Sequence, residues 1–147
     1  MAASENLKKN SDSLIQLLAA QCSDLEKLLE LAKAETIAAQ EGKFLKIWDI
    51  VSERAAIGKR LETFHRQISE LRGHLESKGE NVSQYDITNR VVELANLTLV
   101  QDQQTRLLLS ATREETINSL KNLDKSFHHT NAYLKEERKG LAYSRNF

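Results

Sequence analysis

IWDIVSERAAIGKRLETFHRQISELRGHL, residues 47–75, decides the fold. Its apolar residues recur in steps of three and four: Ile47, Ile50, Ile57, Leu61, Phe64, Ile68, Leu71 and Leu75. Arg54 alone interrupts the series. Such a stripe lies along one face of a helix and has to be covered by other helices. The chain contains no proline, so no residue forces a helix to end by withholding a backbone donor. Together these features predict long helices packed lengthwise, an architecture that suits binding other proteins better than chemistry.

Upstream of this stretch, residues up to about Ser11 read as a frayed lead-in. The first helix is expected over about 12–40, opened by the capping-box spacing of Ser13 and Gln16. Leu14, Leu18, Cys22, Leu25, Leu29 and Ala32 run down one face, widened by Leu17 and Leu28. Glu41-Gly42-Lys43 is the candidate break, with a helix continuous through Gly42 as the alternative. The second helix covers about 43–76. Gly58 sits one residue off its stripe, as a tolerated glycine or a close helix contact, and Trp48 is expected to pack at the stripe's edge.

Downstream, Ser77 to Gln84 (SKGENVSQ) is the clearest loop. Asp86 is a good N-cap for a third helix over about 86–125, which carries Ile87, Val91, Leu94, Leu97, Leu108, Ala111, Ile117, Leu120 and Leu123. Its middle, QDQQTR at 101–106, is polar all round. The simpler reading is a stretch that outlasts its partner helices; the alternative is a polar layer that fixes register. From Ser126 the pattern weakens, and 126–147 is expected to be a weakly structured or short-helical tail. The fold class is all-α: an elongated antiparallel bundle of three long helices in one domain.

Hydrophobic residues make up 40% of the chain but aromatics only 5%, so the core must be built mainly of leucine, isoleucine and alanine. Lys+Arg and Asp+Glu balance at 21 each. A neutral chain has no net pull toward nucleic acid or an anionic membrane, and no apolar run is long enough to span a bilayer. MAASENLKKNSD, at 1–12, lacks the apolar stretch of a secretory leader, and the lone Cys22 has no partner for an internal disulfide. Both point to the cytoplasm. The sequons at Asn81 and Asn96 then read as chance.

The motifs of chemistry do not assemble. His128 and His129 are adjacent and point to different sides of a helix, and no His-Glu-x-x-His or cysteine pair accompanies them. No glycine-rich phosphate loop occurs. Cys22 lies on an apolar stripe and reads as a small hydrophobe. His65 or His74 would be the reactive residue if the chain were a histidine phosphotransfer domain, but neither is followed by the lysine and small residue of that class. A non-enzyme with no cofactor and no metal is expected.

One resemblance adds to this reading. ETIAAQEGKFLKIWDIVSERAAIGKRL, at 35–61, resembles FlgN-type flagellar export chaperones, with Glu35, Ala38, Gly42, Ile50, Arg54 and Ile57 in the corresponding places. Arg54 replaces the family's usual lysine. Lys43 replaces the common acidic residue after Gly42. Leu94, Asn96, Leu97, Leu108, Leu109, Ile117 and Leu120 fall into the family's frame in the third helix, while the asparagines expected before the Leu-Leu pair are replaced near Gln104 and Thr105. The resemblance implies a cytoplasmic chaperone that binds hook-associated proteins of the hook–filament junction and hands them to the flagellar type III export apparatus, using its C-terminal region. FliT-type chaperones of the filament cap protein are similar bundles, so the cargo stays open between the two. Leu123, Phe127, Tyr133, Leu134, Leu141, Tyr143 and Phe147 are the candidate contacts, flagged independently by the aromatic content of the tail. The alternative is a structural antiparallel coiled-coil module, a homo-oligomer that leaves one stripe for a partner copy.

Overall fold

The computed structural model describes residues 2–145, with the side chains of Gln84 and of residues 137–145 outside the description. The elements are α1 (Ala2–Gln40), α2 (Phe44–Ser77), a single 3₁₀ turn (Val82–Gln84) and α3 (Asp86–Arg145). The expected all-α class and the three long helices are present. Two compact units are formed, one up to Leu108 and one from Leu109 onward.

Gly42 settles the question of the break between α1 and α2. It sits at φ +69°, in the left-handed region that glycine adopts without a Cβ clash. The Lys43 amide donates to the Ala38 carbonyl at 2.9 Å and the Gly42 amide to Ala39 at 3.3 Å, so the terminal carbonyls of α1 are satisfied by a Schellman cap. α2 ends the same way. Gly79 lies at φ +89°, and Glu80 donates to Leu75 at 3.1 Å while Gly79 donates to Glu76 at 3.0 Å.

The beginning of α1 corrects the sequence reading. The helix starts at Ala2, not near Asp12. Leu7 continues the face of Leu14 and Leu18 and packs on the core, which gives the first turns something to hold. Ser13 and Gln16 therefore lie inside the helix and cap nothing.

In the first unit the three helices run up, down and up. Asp24 meets Arg60 and Glu35 meets Arg54, so α1 and α2 are antiparallel. Ser11 meets Tyr85 at 2.8 Å and Thr36 meets Thr105 at 2.7 Å, so α3 runs parallel to α1. One core cluster gathers Leu14, Leu18, Ile68, Leu75 and Val82, with Leu7, Phe64, Leu71 and Ile87 packed against it. Val82 is only 1% exposed: the segment read as a loop contributes a core residue through its 3₁₀ turn. A second cluster joins Cys22, Leu25 and Leu94. Each fully buried leucine here contributes about 2 kcal/mol of apolar transfer.

In the second unit, α3 continues past the expected end near residue 125 and through the segment expected as tail, to Arg145. LKEERK at 134–139 is made of strong helix formers with no proline, and a helix satisfies its own backbone without a core. The apolar periodicity fades there because no buried face has to be maintained.

Candidate functional site

Arg54 occupies a core position of α2 and is the centre of a polar layer. Its Nη1 and Nη2 donate to Asp102 of α3, both at 2.8 Å, and Nη1 also donates to Glu35 of α1. One guanidinium thus ties all three helices together. The fork to Asp102 raises the Arg54 pKa above its ordinary value; burial opposes this and the bond to Glu35 reinforces it. At the residues next to Glu35 and Asp102, Gln101 donates its side-chain amide to the Thr36 hydroxyl at 2.6 Å, and Thr36 also meets Thr105. The Thr36 hydroxyl has a single proton. It lies within reach of the Ala32 carbonyl at 3.1 Å, and the Thr105 hydroxyl within reach of the Gln101 carbonyl at 3.2 Å. The two hydroxyl protons are thus shared among these carbonyls and the Thr36–Thr105 contact, while Thr36 accepts from Gln101. Among the described residues no buried side-chain nitrogen or oxygen lacks a partner.

Three readings of the sequence are decided here. The QDQQTR segment does not outlast its partners between Gln101 and Thr105; it turns Gln101, Asp102 and Thr105 into the bundle. The sequence alternative, a polar layer, is what the structure contains. Trp48 does not pack at the edge of the core: it is 71% exposed, beside Phe44 and Leu45 on the outer side of α2. Gly58 makes no close helix contact, because nothing lies within 4 Å of where its Cβ would be. It opens instead onto a groove of about 650 Å³ shared with Leu25, Leu61, His65, Val91 and Ala95.

The candidate partner-binding residues lie in the second unit. Leu120, Leu123, Phe127 and Leu134, spaced three, four and seven apart, share one side of α3. Leu123 is 66% exposed and Phe127 64%, and every described side chain from Arg113 to Glu136 is exposed. Tyr133 is exposed too but points to a neighbouring flank, one residue off the series. Leu141 and Tyr143 lie in helical backbone with their side chains outside the description, and Phe147 lies outside the described residues. Leu120 belongs with this face; its three-residue spacing from Leu123 was visible in the sequence.

Cys22 is buried, and desolvation, reinforced by Glu26 and opposed by Arg90, pushes its thiol pKa up. It is therefore the small hydrophobe its position suggested. His128 stands 3.6 Å from Asp124 on the helix surface, and no cluster of His, Cys, Asp and Glu among the described residues could hold a metal ion. No helix among them is long and apolar enough to cross a membrane. No protein-family model matches the chain, and no curated protein and no solved structure is significantly similar to it.

Proposed function

We propose that this chain is a binding protein of the export-chaperone kind, which holds an amphipathic helix of its cargo against the Leu120–Leu123–Phe127–Leu134 face of α3. The observation that carries the reading is the exposure of that face: large apolar side chains at helical spacing on a long helix, with none of them buried. Covering such a face with a cognate helix contributes roughly 1 kcal/mol or more per large side chain. That is enough for capture and modest enough for release. The residues at 35–61 extend the proposal to a flagellar role in the cytoplasm, with hook-associated proteins as cargo and the type III export apparatus as recipient.

Calorimetric titration with the C-terminal helical segment of a hook-associated protein tests it. Saturable micromolar binding is expected, lost in Leu123→Lys and in a chain ending at Lys125, with the melting transition of the first unit unchanged. Absence of heat, or binding that survives both changes, overturns the proposal.

A further inference from the structure

α3 presents an unusual composition inside the first unit. From Leu94 to Thr105 it carries one charged residue, Asp102, and that one is turned inward to Arg54. A surface helix usually carries charge on the face away from the core; here the inner side, at Leu94, Thr98 and Thr105, is buried, and the outer side has neither charge nor cover. The outer side exposes Val92 by 53%, Leu99 by 62%, Val100 by 54% and Leu107 by 72%. Asn96 and Gln103 lie between them on the same strip.

We infer that this strip packs against the same strip of a second copy, in an antiparallel pair with its twofold between Leu99 and Val100. The order of residues is symmetric about that point. Moving outward in both directions, an apolar residue (Leu99, Val100) is followed by an amide (Asn96, Gln103) and then by an apolar residue (Val92, Leu107). The antiparallel pairing therefore sets amide beside amide, where each can donate and accept, and apolar beside apolar. It also sets Glu93 of one copy, which meets Arg90 of its own chain at 3.2 Å, level with Arg106 of the other, opposite in sign. A parallel pair sets each of these charges level with itself and aligns the two helix dipoles unfavourably. The strip is about 22 Å long. So short a strip places the pair at the small, weak end of specific interfaces. The inference is independent of the cargo face, since it uses none of the same residues.

Light scattering on the full chain tests it, together with cross-linking in a Cys22→Ala background. A mass twice that of the chain is expected. Leu99→Lys, which sets two lysines beside the twofold, is expected to raise the dissociation constant more than about tenfold with an unchanged helical signal, because Leu99 is exposed in the single chain. Chains carrying Val92→Cys are expected to form a disulfide with chains carrying Leu107→Cys and not with themselves. A monomer at millimolar concentration, a dimer indifferent to Leu99→Lys, or self-linking of the Val92→Cys chain overturns the inference.

Discussion

The two ends of the first unit hold three helices together by different means. At one end Leu14, Leu75 and Val82 meet in a dry cluster, exposed by 0%, 0% and 1%. At the other, toward Gly42, the interior holds Thr36, Thr98 and Thr105 with Ala32, Ala38 and Ala39, and Arg54 is ion-paired to Glu35 and Asp102. Apolar contacts are non-directional and tolerate a slipped helix. A forked guanidinium does not, because a shift of one residue leaves carboxylates buried without a partner. The leucine end is therefore expected to supply stability and the arginine end register.

Truncation at the leucine end is expected to have the largest effect. Leu75→Ala should cost about 3 kcal/mol in urea denaturation, since it removes a completely buried side chain and leaves a cavity. Arg54→Leu comes next, at about 2 kcal/mol, because Glu35 and Asp102 are left facing each other without a cation. Replacing Glu35, Arg54 and Asp102 together by apolar residues sharpens the comparison. The melting temperature should recover, while amide exchange near Thr105 should accelerate as the register loosens. An unrecovered melting temperature would show that the layer is a source of stability.

Thr105→Val should cost about 1 kcal/mol, and a double-mutant cycle with Thr36→Val should show coupling between the two hydroxyls. The smallest effect belongs to Cys22. Its raised pKa means that the folded state prefers the neutral thiol, so its contribution is full below the ordinary value of 9.0 and fades as pH rises through the higher folded value. Wild type and Cys22→Ala should therefore differ in the slope of stability against pH only above pH 9, measured by thermal melts.

Much of this was legible in the residues. The stripe from Ile47 to Leu75 fixed α2 and its buried face, because burial on one side of a helix imposes a period that any reader can count. Gly79 marked the end of α2, and Gly42 offered the end of α1 against a continuous helix; its left-handed cap decided between them. Leu123, Phe127 and Leu134 were flagged by the aromatic content of the tail, but that they share one face appeared only once α3 was found to continue through them. Other features were not legible. Leu7 carried too little pattern alone to extend α1 to Ala2, and Val82 looked like part of a polar loop until its side chain met Leu14 and Leu75. Trp48 looked like core because hydrophobicity says nothing of which side of a helix its neighbours occupy.

The sequence by itself determined three long helices, the glycine-marked loop after the second and the existence of one arginine out of place on an apolar stripe. These are properties of local periodicity and backbone conformation, which neighbouring residues set. Only the tertiary structure decided that Arg54 binds Glu35 and Asp102, that Gln101 and Thr105 face inward, and that the strip from Val92 to Leu107 faces outward. Those outcomes depend on the rotation of each helix about its own axis against the other two. No single helix encodes that angle; it emerges when three faces are packed at once.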